Sequence, residues 1–205
     1  MTVAAGAIDR ESPETLAANI RVGARLWTSA AAFFFMSFVF AFLYLKALNT
    51  AHSFREPHVT PPLGWGVAIL ACVVVSTALF AFGRTSLGDG TASRWRAMSL
   101  GALVLGLAVI ALQFIEYYNL SFGATDGGLA SVFVGFTAAF LLFWLAAVYW
   151  METIWAQSLR GERAGESDIK DTNALLRPNA DGCVVYLAVL VITEIFAFVL
   201  LYLVK

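Results

Sequence analysis

The sequence predicts an all-α integral membrane protein: five transmembrane helices in one bundle, with the N-terminus in the cytoplasm and the C-terminus outside. Three observations carry this expectation. Hydrophobic residues make up 60% of the 205 positions and charged residues only 13%, about half the charged share of a soluble domain. A soluble fold of this length has too little interior for that apolar surface, whereas a bilayer solvates it. Five apolar runs follow one another at Leu26–Leu48, Gly64–Gly83, Ala97–Asn119, Leu129–Gln157 and Gly182–Val204. Each reaches the roughly 20 residues that a crossing helix needs. The basic residues then alternate between the connecting segments, and cytoplasmic loops are the ones enriched in Lys and Arg.

Taken in order, residues 1–25 form a cytoplasmic N-terminal segment and residues 26–205 the membrane domain. The leading segment mixes Asp9, Glu11 and Glu14 with Arg10, Arg21 and Arg25. It lacks the short apolar core and small-residue cleavage site of a targeting peptide. Ser12-Pro13-Glu14 reads as a helix start, with Ser as cap and Pro at the first helical position. Leu16, Ile20 and Val22 would then lie along the membrane surface as a short interfacial helix.

The first run is rich in phenylalanine on more than one face (Phe33, Phe34, Phe35, Phe38, Phe40, Phe42), as expected of a helix meeting lipid and neighbours. The loop after it holds Pro57, Pro61 and Pro62 and both histidines, His52 and His58. These are six apart, beyond helical i,i+4 pairing, and read as ordinary loop histidines. Arg84, Arg94 and Arg96 separate runs two and three, and Arg160, Arg163, Lys170 and Arg177 separate runs four and five. The opposite set of segments holds only Lys46, Arg55 and Lys205. Trp27, Trp95 and Trp155 fall at the inner interface so defined, and Tyr44, Trp65, Tyr117, Tyr118 and Tyr202 near the outer one, as amphipathic rings should. Ala102 and Gly106 in run three have the small-xxx-small spacing that permits close helix approach. Arg177-Pro178-Asn179-Ala180-Asp181-Gly182 reads as a turn into run five. Cys72 and Cys183 lie at different depths, so no disulfide is expected.

Four polar residues stand out as candidate sites. Gln113 and Glu116, three apart near the end of run three, share one helix face. Gln113 can donate to Glu116, and the pair reads as structural glue between helices or as a proton site. Glu194 lies close to the midpoint of run five. Insertion scales put an acidic group there at about +2.5 to +3.5 kcal/mol. It reads either as a proton-linked or partner-contacting site, or as a neutral acid hydrogen-bonded across a helix interface. Glu152, toward the cytoplasmic end of run four, reads as an interfacial acid that reaches water.

Membrane redox metals are usually held by imidazole, and no run contains a histidine. There is also no Cys cluster, no phosphate-binding glycine loop and no Ser/His/Asp set. Nothing in the sequence supports a self-contained catalyst or a nucleic-acid partner.

The stretch Leu112-Gln113-x-x-Glu116-Tyr117-Tyr118, the loop with Asp126-Gly127, and a following run with Ser131, Phe133 and Thr137 resemble subunit III of haem-copper terminal oxidases. The first run, Phe34-Phe35-x-x-Phe38 through Tyr44, is similar to that family's F-F-x-x-L-F-x-x-Y helix. Val185-Tyr186 and Tyr202 resemble its closing helix. The resemblance covers about residues 26–205, in the five-helix form of many bacterial members.

The resemblance implies a non-catalytic accessory subunit in a bacterial plasma membrane. It would stabilise the catalytic subunit and bind phospholipid, with subunits I and II as partners and the haems and copper in those partners. A subunit III-like component of a nitric oxide reductase or an alternative respiratory complex is a related reading. A small proton-linked transporter built around Glu194 is a different one, although neither paired halves nor a mid-run proline supports it.

The chain also departs from the family. Thr137, Ala138, Ala139 and Phe140 stand where run four of the family carries G-F-H-x-x-H, and Ala30 or Ala31 stands where its first run carries a carboxylate. Leu187 to Val191 replace its H-F-x-D. A proton-uptake role is therefore not carried over, and Glu194 is the remaining acid that could have been relocated.

Overall fold

The computed structural model describes residues 11–48, 54–87, 91–160 and 166–204, apart from the side chains of 92 and 166–174. The expectations placed on Asp9, Arg10, His52, Arg163 and Lys205, and on the Lys170 side chain, lie outside the described residues. The described chain is all helical: α1 (Pro13–Ala47), α2 (Leu63–Thr85), α3 (Ala92–Tyr118), α4 (Gly128–Arg160) and α5 (Glu166–Phe198), closed by a π-helical turn, Val199–Leu203. Each of the five helices contains a stretch long and apolar enough to cross a membrane.

Two expectations are corrected. The Ser12 cap forms as read, its hydroxyl accepting from the Thr15 amide at 3.2 Å with Pro13 opening the helix. The separate interfacial helix does not form, because α1 continues through residue 25 into the first apolar run as one 35-residue helix. No glycine pair, proline or turn residue interrupts it. Lone Gly23 costs only about 1 kcal/mol in a helix, which a run of this length absorbs. At 1.5 Å per residue α1 is about 52 Å long, well beyond an apolar layer of about 30 Å.

The turn at 177–182 is also absent, and Pro178 lies inside α5. Tertiary contacts hold the helix through it. Leu176, Ala180 and Cys183 are buried. The Trp150 indole donates to Asn179 Oδ1 at 2.7 Å. Arg84 pairs with Asp181 at 2.8 Å. These anchors outweigh the local turn preference, which is a weak signal against packing.

Close approach between helices follows the small residues. A Cβ added at Gly106 would lie 3.0 Å from Val148 of α4, and the Trp144 indole donates to the Gly106 carbonyl at 2.9 Å. One turn earlier, the Ser76 hydroxyl of α2 donates to the Ala102 carbonyl at 2.8 Å. The Ala102–Gly106 stripe thus lets α2 and α4 both reach the backbone of α3. At the far end of α2, Trp95 is buried against Phe80 with ring centroids 5.3 Å apart. α4 is the most enclosed helix, with Phe133, Phe140 and Trp144 fully buried. Helices α1 and α5 run parallel: Ala24 meets Gly182, and further along Trp27 meets Tyr186. Phe35 and Phe42 of α1 face inward while Phe33 and Phe40 are exposed. Both cysteines are free.

Candidate functional site

The polar residues near the end of α3 form the one buried carboxylate cluster among the described residues. Gln113 and Glu116 point into the bundle, and Glu116 is fully buried. The Gln113 amide donates to Glu116 Oε2 at 2.7 Å, the contact that their three-residue spacing allows. The other oxygen, Oε1, accepts from the Tyr202 hydroxyl at 2.5 Å. Both carboxylate oxygens therefore have a donor. This satisfaction is what makes a buried carboxyl tolerable where no water can substitute.

Tyr202 reaches Glu116 because of how α5 ends. Residues 199–203 are wound as a π-helix, a wider turn that re-aims side chains and often occurs at functional sites. The Tyr202 ring stacks on Phe198 at 5.4 Å, meets Phe133 edge-on at 5.6 Å and lies over Gly66 of α2. A Cβ at Gly66 would fall 2.6 Å from the ring, so only glycine leaves room for it. The Arg55 guanidinium, from the α1–α2 connection, donates to the Val204 carbonyl at 3.2 Å and ties down the end of the turn.

A second hydrogen-bond chain lies beside the first. The Tyr117 hydroxyl donates to Thr137 Oγ1 at 2.8 Å, and Thr137 donates to the Phe133 carbonyl at 2.7 Å. Glu194 of α5 lies within electrostatic reach of Glu116, Tyr117 and Tyr202. It is buried, yet it makes no hydrogen bond or ion pair among the described residues. The Gln113–Glu116 pair and Glu194, read from the sequence as two separate features, are therefore one site. Glu152 is not part of it. It is exposed on α4, fifteen residues beyond Thr137, or about 22 Å along the helix axis.

Three members of the cluster were missed as site residues. Tyr117 and Tyr202 read from the sequence as part of an outer aromatic belt, and Tyr117, Thr137 and Tyr202 otherwise only as positions compared with the family pattern. Tyr117 was discoverable, because it adjoins Glu116 and its partner lies across the next short loop. No local pattern links Tyr202 to Glu116.

Chemically, the arrangement can fix a carboxyl in one orientation, join three helices and the C-terminal turn, and keep a second carboxyl unpaired beside it. It offers no imidazole or thiolate, and among the described residues no group of three or more His, Cys, Asp or Glu could hold a metal ion. No protein-family model matches the chain, and no curated protein matches it.

Proposed function

We propose that this protein is a non-catalytic membrane subunit of a respiratory haem-copper oxidase, a divergent five-helix form resembling subunit III. One observation carries the reading. Three of the stretches that bear the resemblance meet at one place: Glu116 of α3 is hydrogen-bonded to Tyr202 at the end of α5, and its neighbour Tyr117 to Thr137 of α4. A motif spread over three helices is thus a single packing device. Its chemistry is that of a brace, with each donor matched to an acceptor and no ligand set for a redox metal.

In this reading the N-terminus is cytoplasmic, since the connections on that side carry most of the Arg and Lys. The membrane is a bacterial plasma membrane, and the partners are subunits I and II, which hold the haems and copper. Glu194 favours a second reading, a proton-linked membrane carrier, because an unpaired intramembrane acid is a functional candidate by default.

One experiment separates the two. The chain, tagged and extracted from its native membrane in mild detergent, is expected to bring down a complex with the visible spectrum of haem. A chain that purifies alone and moves protons in liposomes would overturn the subunit reading and support the carrier.

A further inference from the structure

Two connections close over the end of the bundle where Glu116 lies: the described residues 54–62 before α2, and residues 119–127 between α3 and α4. They are held to each other and to the helices. The Leu129 amide donates to the Phe54 carbonyl at 2.7 Å, and the Ser121 hydroxyl to the His58 carbonyl at 3.4 Å. Phe54, Val59 and Phe122 are buried. Phe54 meets Phe42 of α1 edge-on at 5.3 Å, and Phe122 meets Phe133 of α4 at 5.5 Å. Phe133 in turn meets the Tyr202 ring, and Arg55 of the first connection holds the Val204 carbonyl. Both connections thus bear on the π-turn that brings Tyr202 to Glu116.

His58 lies where the two connections meet. Its Nδ1 is 3.6 Å from Glu56 Oε2, in its own segment, and its Nε2 is 3.8 Å from Asp126 Oδ2, in the other. These two acids are the groups paired with it among the described residues, and the adjoining Arg55 is engaged with Val204. The ring nitrogens point apart, so the acids flank the imidazole and do not converge on one point as the ligands of a metal ion do. A neutral imidazole donates from one nitrogen and presents a lone pair at the other, whereas the imidazolium donates from both. With an acid at each nitrogen, the neutral ring has one attractive and one repulsive contact, and the charged ring has two attractive ones. Among side chains with ordinary pKa values, only histidine changes charge between about pH 5 and 8. The tie across the two connections is therefore strongest at the acid end of that range and weakens as the pH rises.

We propose that His58 is a proton-operated clasp: protonated, it fastens the α1–α2 connection to the α3–α4 connection over the Glu116–Tyr202 site, and deprotonated, it lets them part. The clasp goes beyond the proposed function and does not depend on it, since a lone carrier and a subunit of a larger complex would bear the same two connections. In either case the site is more firmly covered when the solution on that side is acid.

The test is hydrogen–deuterium exchange of the full chain in lipid nanodiscs at about pH 5.5 and about pH 8, toward either end of the range in which imidazole titrates. Rates are corrected for the intrinsic pH dependence of amide exchange. The three side chains are partly exposed, and exposed ion pairs contribute modestly, so protection of peptides covering 54–62 and 119–129 is expected to fall roughly fivefold from the lower pH to the higher. Peptides covering 199–204 should follow in the same direction, because Arg55 and Phe133 join them to the two connections. His58→Gln, uncharged at both values, should show the lower protection at both. Asp126→Asn, whose amide oxygen can still accept from the Gly123 amide, should do the same. His52→Gln, at the chain's other histidine, should behave as the wild type. A pH response that persists in His58→Gln, or one abolished by His52→Gln, overturns the proposal, as does a response of the connections with none at 199–204. Should His58→Gln fail to purify, Asp126→Asn decides alone, and an undiminished response in it overturns the proposal.

Discussion

The Tyr202 hydroxyl lies 2.5 Å from Glu116 Oε1 across 86 residues of sequence. This bond closes the bundle at the end where α3 finishes and α5 unwinds into a π-turn. Its removal should be felt as a loss of stability. Tyr202→Phe leaves one carboxylate oxygen without its donor, and an orphaned buried acceptor costs about 1–3 kcal/mol. A thermal melt in detergent should show the drop. A double-mutant cycle with Glu116→Gln should return a non-zero coupling; strictly additive effects would mean that the two side chains do not act together.

Gly66→Ala should reproduce much of that loss with both partners left unsubstituted. The added methyl would lie 2.6 Å from the Tyr202 ring. The ring is the end of a side chain and can swing away, so the fold survives but the bond to Glu116 does not. The Gly66→Ala variant combined with Tyr202→Phe should be little worse than either alone. Full additivity in the same melt would contradict the packing described for this corner.

Gly182→Ala should destabilise the α1–α5 contact by about 1–3 kcal/mol, the usual cost of overpacking. Its Cβ would sit 2.7 Å from the Ala24 Cβ, which has no rotamer to escape into. Gly23→Ala, with nothing within 4 Å of the new methyl, should be neutral or gain up to about 1 kcal/mol of helix propensity. Denaturant or thermal unfolding of the two variants side by side checks the contrast.

Glu194→Gln should leave the unfolding midpoint nearly unchanged, because no hydrogen bond or ion pair among the described residues is lost. Under the proposed function, its effect should appear instead in co-purification or turnover of the complex. A variant that assembles and turns over as the wild type does would remove Glu194 from any functional account.

The helix count, the capped start at Ser12 and the Gln113–Glu116 contact were legible because each is set by local pattern: run length, cap chemistry and three-residue spacing. What the sequence hid was decided at a distance. Pro178 and Gly182 spell a turn, yet Trp150, Arg84 and buried neighbours keep the segment helical. Residues 13–25 are polar enough to look like a separate element, but nothing between them and Leu26 stops a helix. The site was half visible. Its carboxylates announce themselves by the cost of burial, while Tyr202 and Thr137 carry no such mark and are recruited only by the fold.

The length of α1 has a mechanical consequence. A stiff rod packed in the bundle turns a slight change of inclination into a lateral excursion that grows with distance along its axis. A probe attached at Asn19, on the exposed first turns of this helix, would therefore read out small rotations of the whole assembly within the bilayer, much as a long pointer magnifies the movement of its pivot.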